Sequence, residues 1–264
     1  MADPLRPVGA GAMAAVVRND LRLLRADPTV LILLIVTPVV IMSFTNKAFR
    51  YALELSGRPH ATGAEQSVPG MTLMFSFALV GAIGYTLFRE HTWRTFDRLR
   101  SAPIPLERLL AAKAVVPLGM VSCQVAASLA IGSAWFDLRI EGSVPLFFAV
   151  LVAYIWCVMG LALLLAGVCR TMLQLSTASN LGATLFAGLG GALVPLSTMP
   201  AWARALAPLS PMYWGMRGLG AGIYRDVGAA SGVTSVGVLL ATGLLTGMAG
   251  AVILRRKEGH DAHV

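Results

Sequence analysis

The sequence predicts an all-α membrane protein with six transmembrane helices, preceded by an amphipathic interfacial helix. Its 264 residues are 56% hydrophobic and only 13% charged, whereas soluble domains usually carry about 25% charged residues. The mean hydropathy is +0.73, and several apolar runs reach the roughly 18 to 20 residues that a helix needs to cross a bilayer. Little of the chain is left for a soluble domain.

The six predicted crossings make up a transmembrane domain over residues 29–254. The first crossing is short, and residues 47–55 can continue it as a tilted or interfacial extension. Pro38 is expected to kink this crossing, and Pro117 lies within the third. The predicted crossings are at about 29–46, 69–88, 109–136, 145–168, 176–196 and 233–254.

Residues 1–28 are predicted to form a cytoplasmic tail and an amphipathic helix. Residues 1–11 are rich in Pro, Gly and Ala and are expected to be disordered. In a helical register over 12–26, one face is apolar and another is basic, formed by Met13, Val17, Leu21 and Leu24 and by Arg18, Arg22 and Arg25, respectively. Basic helices of this kind lie in the lipid headgroup region, and an ordinary solvated helix is the alternative.

The segment 197–232, before the last crossing, is too long for a simple turn and too apolar for a solvated loop. Three prolines interrupt it, Pro200, Pro208 and Pro211. We expect half-helices here, in a re-entrant segment at the extracytoplasmic surface. Its aromatic residues are expected to form an interfacial belt rather than a ligand cage; they are Trp202, Tyr213 and Trp214. The chain ends in a short basic tail, residues 255–264.

Lysine and arginine are distributed unequally between the two sides that six crossings define. Fourteen lie on the side of both termini and seven on the other side. Because positive residues collect in cytoplasmic loops, we expect both termini in the cytoplasm of a bacterial-type cell and the chain in its cytoplasmic (inner) membrane. The formal net charge of +8 follows the same rule and does not indicate a nucleic-acid partner.

The residues that could power transport are largely missing from the crossings. No Asp, Glu or His lies within them, although ion-coupled carriers usually keep such groups near the membrane midplane. A phosphate-binding loop needs Gly-Lys followed by Ser or Thr, and the three lysines follow Asn, Ala and Arg instead. The chain is therefore not expected to be an ATPase, and ATP-driven work would need a second polypeptide.

The charged stretch 88–113 lies between two apolar runs. Read as a helix, residues 92–100 place Trp93, Phe96 and Leu99 on one face, with Arg94 and Arg98 one turn apart on another. Pro103 disfavours helix at Ala102, and Pro105 can begin the next helix. This pattern predicts a short amphipathic helix, a bend and a new crossing. The alternative is a set of positive-inside charges with an interfacial tryptophan.

The same stretch resembles the membrane subunits of type-2 ABC exporters, including permeases of the daunorubicin-resistance type. In that family the pattern is commonly written RE…GTLERL…TP(V/I)…K. The matching positions are Arg89 and Glu90, then Thr95, Arg98 and Leu99, then Pro103 and Lys113. Asp97 replaces the usual Glu, Arg94 the usual Gly and Phe96 a common Leu. The number of crossings, the basic amino-terminal helix and the aromatic segment 209–219 extend the resemblance over the chain.

The resemblance implies a coupling helix at about 92–100 that docks in a groove of a separate ATPase subunit. The implied contacts are Glu90, Trp93, Arg94, Thr95, Phe96, Asp97, Arg98 and Leu99, with a smaller contact at Arg170. ATP and magnesium would be bound in the ATPase, and no catalytic, cofactor or metal residue is assigned to this chain. Two copies of the permease, identical in the simplest case, would work with two ATPases to export a hydrophobic or amphipathic compound.

Several polar or adaptable residues within the crossings are candidates for a substrate path. They are Met71, Met74, Phe75, Gln124 and Asn180. Methionine and aromatic side chains also serve as ordinary core or lipid contacts, and amides often hydrogen-bond between helices. Two further functions stay open at this point. One is an ion-coupled carrier or channel, and the other is a membrane scaffold or sensor that binds a partner and transports nothing.

Overall fold

The computed structural model describes the backbone of residues 9–92 and 106–261, and the side chains of residues 17–77, 80–81, 114–254 and 256. All regular structure within these residues is helical. The helices are α1 (Gly9–Ala26), α2 (Thr29–Leu55), α3 (Ala64–Thr92), α4 (Leu106–Trp135), α5 (Val144–Val168), α6 (Met172–Leu189), α7 (Ala201–Leu206), α8 (Pro211–Ile223) and α9 (Ala229–Asp261), with two 3₁₀ turns at Leu196–Thr198 and Ala207–Leu209.

Four helices in the described part of the chain are long and apolar enough to cross a membrane. They are α2, the 114–135 part of α4, α5 and the 229–254 part of α9. The other two predicted crossings fall on α3 and α6, which are not among the four. Helix α6 is the more polar, since Gln174, Thr177 and Asn180 lie on it. An all-helical fold with several membrane helices is confirmed, whereas the count of six crossings stays a prediction.

Helix α3 lies at the centre of the bundle. It packs against α2, α4, α5, α6 and α8, and the described residues Met71, Leu73 and Phe77 are almost fully buried along it. The Tyr154 hydroxyl on α5 donates a 2.9 Å hydrogen bond to the Leu73 carbonyl, and Phe77 makes an edge-to-face contact with Phe186 on α6. A buried helix does not need the uniformly apolar surface that lipid requires.

The start of α3 is fixed by a capping box that the sequence reading missed. The helix begins at Ala64, before the crossing predicted from Pro69. The Thr62 hydroxyl accepts a hydrogen bond from the Ala64 N–H at 3.2 Å, and a Glu65 carboxylate oxygen accepts one from the Thr62 N–H at 3.1 Å. A Thr-x-x-Glu pattern before an apolar run is the sequence signature of this motif, so the signal was present.

The structure also decides two further helix boundaries. Helix α2 is continuous from Thr29 to Leu55, so the continuation over 47–55 that the sequence allowed is present. Helix α6 ends at Leu189 and does not continue to Leu196, because Gly191 adopts a positive φ of 85°. The Ala192 N–H then donates to the Ala187 carbonyl at 3.0 Å, which is typical of a glycine-terminated helix.

Short helices occupy the proline-rich segment 197–232. Helix α7 follows Pro200, and α8 begins at Pro211 with its N–H groups capped by Ser210, whose hydroxyl accepts from the Met212 N–H at 3.2 Å. Proline is well suited to the first turn of a helix because the N–H that it lacks has no helical partner there. The location of this segment at the extracytoplasmic surface stays a prediction, as does the location of α1, which packs against α4.

Helices α5 and α9 approach closely through glycines. A side chain at Gly243 would meet the Cα of Cys157 at 2.9 Å, and one at Gly250 would meet the backbone of Leu163 and Leu164 at 2.5 Å. Small residues let membrane helices approach until their backbones are nearly in contact. Gly243 and Gly250 therefore let α9 lie almost against the backbone of α5.

We expect Gly250→Ala to destabilise the protein by about 1–3 kcal/mol, because the added methyl group would overlap backbone atoms that cannot move independently. The matched control is Gly237→Ala on the same helix, where no heavy atom lies within 4 Å of the new carbon. Alanine is the better helix former, so the control should be neutral or stabilising. Thermal unfolding of the purified protein measures both; equal effects would contradict the packing argument.

Candidate functional site

The predicted coupling helix lies mostly outside the described residues. This applies to Trp93, Arg94, Thr95, Phe96, Asp97, Arg98 and Leu99, while Glu90 lies on the backbone of the last turn of α3 and its side chain is not described. The structure does describe what flanks this segment. Helix α3 ends at Thr92 and α4 begins at Leu106, so residues 93–105 connect two helices that pack against each other.

Contacts between loops define one end of the bundle. Arg58 pairs with Asp226 at 3.3 Å, the Glu141 N–H donates to the Ile223 carbonyl at 3.0 Å, and the Ser56 and Ser197 hydroxyls lie 2.8 Å apart. We call this the outer end; it carries the start of α3, the end of α4 and the start of α5. Since each of these helices runs the length of the bundle, the end of α3, the start of α4 and the turn after α5 lie at the opposite, inner end.

Arg170 is exposed in the turn between α5 and α6 at the inner end. Its backbone is fixed by the start of α6: the Arg170 N–H donates to Gln174 Oε1 at 2.9 Å, and the Thr171 hydroxyl accepts from the Gln174 N–H at 3.2 Å. The guanidinium is thus presented to solvent from a hydrogen-bonded turn. The topology brings Arg170 to the same end as the last residue of α3 and the first residue of α4.

The five candidates for a substrate path do not share one surface. Met71 and Gln124 are fully buried, Met74 and Phe75 are half-buried, and Asn180 is exposed. The first four belong to the packed core around α3, whereas Asn180 lies on the outward face of α6. The geometry therefore separates Asn180 from the others.

Gln124 belongs to a chain of polar groups between α3 and α4. The Ser76 hydroxyl lies within hydrogen-bond distance of the Thr72 carbonyl at 2.6 Å and of Gln124 Oε1 at 2.8 Å. The Gln124 amide donates to the Ser128 hydroxyl at 3.2 Å. Such bonds hold membrane helices together. Thr72 adds a fully buried hydroxyl for which the described residues provide no hydrogen-bond partner.

Asn180 is part of a polar stripe along the exposed face of α6. The stripe, with positions three or four residues apart, comprises Ser176, Thr177, Asn180 and Thr184, all exposed. The Thr184 hydroxyl donates to the backbone carbonyl of Asn180 at 3.1 Å, so this hydroxyl is satisfied within the helix. Of these four residues only Asn180 was predicted to line a path, although the spacing of Thr177, Asn180 and Thr184 would have revealed the stripe.

A pocket of about 730 Å³ opens at the outer end. Its lining includes six charged side chains: Arg50, Arg58, Glu65, Asp137, Arg139 and Glu141. The sequence reading assigned no role to these residues, because they come from separate loops and helix ends. Among the described residues, no group of three His, Cys, Asp or Glu side chains could hold a metal ion.

The charged groups at the outer end interact mainly with near neighbours. The hydrogen-bonded Asp137 carboxylate, which lies 2.7 Å from the guanidinium, raises the pKa of Arg139 above its ordinary value. Burial raises the pKa of Tyr224 to about 12, and the Arg58 guanidinium stacks on its ring at 3.6 Å. Both tyrosine and arginine therefore keep their protons throughout the physiological range.

The polar chain between α3 and α4 predicts opposite effects for two small substitutions. Thr72→Val removes a buried hydroxyl that lacks a partner, so stability should be unchanged or should rise by up to about 1 kcal/mol. Ser76→Ala removes a bonded hydroxyl and leaves Gln124 with one partner fewer, so stability should fall by about 0.5–1.5 kcal/mol. Thermal unfolding in detergent distinguishes them; equal losses would show that Thr72 has a partner, such as a buried water.

Two comparisons with known proteins bear on these observations. The sequence model of the family described as "ABC-2 type transporter" matches residues 12–224. Two relatives, from Escherichia coli strain K12 and Escherichia coli O157:H7, are each named "Probable multidrug ABC transporter permease YbhR" and are each 27% identical over 150 residues.

The alignment with each relative covers 55% of this chain and 40% of the relative's length. The family match is broader, because it includes most of α1 and every helix from α2 to α8. It thus covers both residues 93–105, between α3 and α4 in the sequence, and the residues that line the outer-end pocket. With its all-helical fold and its four long apolar helices, this chain belongs to the ABC-2 type transporter family and is a membrane permease of that family.

Proposed function

We propose that this protein is the membrane subunit of an ATP-driven exporter that moves a hydrophobic or amphipathic compound out of the cytoplasm or the inner leaflet. The observation that carries this proposal is the family match over residues 12–224. Membrane subunits of this family are generally non-catalytic and work with a separate ABC ATPase. ATP and magnesium are then bound by the partner, and the work of ATP hydrolysis must reach this chain through a docked surface.

The inner end provides that surface. Residues 93–105 join α3 to α4, and the exposed Arg170 lies on a rigid turn at the same end. In the proposed complex, Trp93, Phe96 and Leu99 anchor the coupling helix while Arg94, Asp97 and Arg98 orient it. Both termini and this end face the cytoplasm, in the inner membrane of a bacterial-type cell. Closure of two ATPases would then move α3 and α4 as levers.

The substrate class follows from the polarity of the bundle. Within the predicted crossings, the described polar side chains that are buried carry no charge. Thr72, Ser76 and Gln124 are examples. Such an interior suits a hydrophobic or amphipathic compound better than a small ion. The two relatives are named as probable multidrug permeases, which agrees with that class of compound. Two copies of the chain would enclose the path.

The polar stripe on α6 is the part of the described surface best suited to line that path. An amide and three hydroxyls facing hydrocarbon would be costly, so the stripe should face a water-filled cavity. Asn180 lies at its middle. The buried candidates Met71 and Gln124 would then lie in the core without lining the path, while Met74 and Phe75 lie at the edge of the core.

Docking of the ATPase is tested by co-purification with a cognate ABC ATPase, sought among the adjacent genes. Phe96→Asp combined with Arg98→Glu should reduce the amount of bound ATPase at least about tenfold. The first substitution replaces an apolar anchor by a charge, and the second reverses the sign of an orienting charge. The control combines Leu206→Asp with Arg204→Glu, two exposed residues of α7 at the outer end, and should leave the complex intact.

Three outcomes would contradict this proposal in different ways. Unchanged association of the Phe96 and Arg98 variant would place the docking surface elsewhere. No association of the wild-type chain, together with transport driven by a proton or sodium gradient, would support an ion-coupled carrier or channel. Association without any substrate-stimulated ATP hydrolysis would support a scaffold or sensor.

The role of the α6 stripe is tested by cysteine labelling in a Cys123→Ala background, since Cys123 is the exposed one of the three cysteines. A charged, membrane-impermeant thiol reagent should modify Asn180→Cys readily, because the reagent and the reactive thiolate both need water. Leu244→Cys on α9, about half exposed on an apolar face, is the control and should react slowly. Equal, slow reaction of both would place the stripe against lipid or protein.

A further inference from the structure

We propose that the outer-end pocket is a binding site for a zwitterionic group, one that carries an ammonium and an acidic oxoanion close together. This inference does not depend on ATP coupling or on the identity of the exported compound. It rests on the volume of the pocket, the balance of its charges and the rigidity of its walls.

The six charged side chains of the pocket comprise three guanidinium groups and three carboxylates. An anion alone would meet three attractive and three repulsive groups, and so would a cation alone. A ligand that carries both charges can place each one against its opposite, which is the arrangement that electrostatic complementarity favours. The volume of about 730 Å³ lies within the range of about 300–1,000 Å³ found for small-molecule sites.

The charged groups remain accessible although most have a local partner. Arg139 and Asp137 are paired two residues apart, with 67% and 57% of their side chains exposed. Arg50 pairs with Glu54 one turn along α2, and 60% of the Arg50 side chain is exposed. Exposed pairs of this kind are weak, so a ligand can exchange them for its own contacts at little cost.

Glu65 is the lining carboxylate best placed to hold an ammonium group. It takes part in no ion pair among the described residues; it accepts hydrogen bonds from the Thr62 N–H, the Thr62 hydroxyl and the Gly63 N–H at 3.0–3.2 Å. These bonds hold the half-buried carboxylate in place at the pocket wall. Its negative charge contributes to the raised pKa of Arg139, so an anionic and a cationic group influence each other across the pocket.

The walls of the pocket are fixed before any ligand arrives. The Gly142 N–H donates to the Gly222 carbonyl at 2.9 Å, Arg225 Nε donates to the Glu141 carbonyl at 3.1 Å, and the Asn46 amide donates to the Thr62 carbonyl at 3.1 Å. The first two contacts join the α4–α5 loop to the end of α8 and the residues after it, and the third joins α2 to the α2–α3 loop. A preorganised wall lowers the cost of binding.

The ligand could be a lipid headgroup or a free solute, since the pocket lies where the long apolar helices end. The first test measures binding of O-phosphoethanolamine to the full chain in phosphatidylglycerol nanodiscs by calorimetry. Ethanolamine and inorganic phosphate, each carrying one of the two charges, should bind at least about tenfold more weakly, because each loses one set of charge-assisted hydrogen bonds.

Two variants and one control locate the binding. Arg139→Gln and Glu65→Gln should each weaken binding of O-phosphoethanolamine about tenfold. Glutamine can replace glutamate in a capping box, so Glu65→Gln keeps α3 folded, and Arg139 lies outside any helix. Arg204→Gln, an exposed arginine on α7 that does not line the pocket, should bind normally.

The second test identifies the source of the zwitterion by native mass spectrometry of protein purified from phosphatidylethanolamine-containing membranes. Retained phosphatidylethanolamine that is lost in Arg139→Gln supports a headgroup site. Binding of O-phosphoethanolamine without such retention supports a site for a free solute. The inference is overturned if neither probe binds, if ethanolamine or phosphate binds as tightly as the zwitterion, or if the two variants bind like the wild type.

Discussion

Helix α3 runs through the middle of the bundle, and the helices around it are held by the groups that it presents to them. Leu73 offers a carbonyl to Tyr154, Ser76 offers a hydroxyl to Gln124, and Gln66 donates to the Gly191 carbonyl beyond α6. Gly70 allows the backbone at Ala192 to approach, since a side chain there would overlap the Ala192 carbonyl. Because these contacts involve different neighbours, displacing α3 would disturb α4, α5 and the end of α6 together.

The distribution of polar groups follows from what a bilayer tolerates. Each backbone group in a membrane helix is paired within that helix, and a side-chain charge in hydrocarbon is costly. Charges therefore gather at the ends, as Arg58 and Asp226 do, and a neutral group such as Gln124 is held inside by hydrogen bonds. The stripe around Asn180 has no such partner helix on its outward face among the described residues. The proposed function explains this exception, because a permease needs a polar surface that lipid does not cover.

Much of the fold was predictable from local pattern, and the sites that depend on distant residues were not. Apolar length alone located α2, α5 and α9, and the prolines predicted the short helices before α9. The end of α6 depended on one glycine conformation at Gly191, which apolar length does not encode. The pocket at the outer end could not be predicted, because Arg50, Glu65 and Arg139 meet only after several helices have packed.

The same helix that organises the core also connects the two ends. Helix α3 is continuous from Ala64 to Thr92, a span of roughly 40 Å at about 1.5 Å per residue. Glu65 in its first turn lines the outer pocket, and its last residue adjoins the predicted coupling helix. Because α3 packs against five other helices, we expect a displacement of its inner end to be transmitted to its outer end. A ligand in the pocket would then favour one position of α3 only to the extent that it binds that position more tightly. The change in the ATPase's hydrolysis rate on adding the ligand would therefore measure the coupling through this helix.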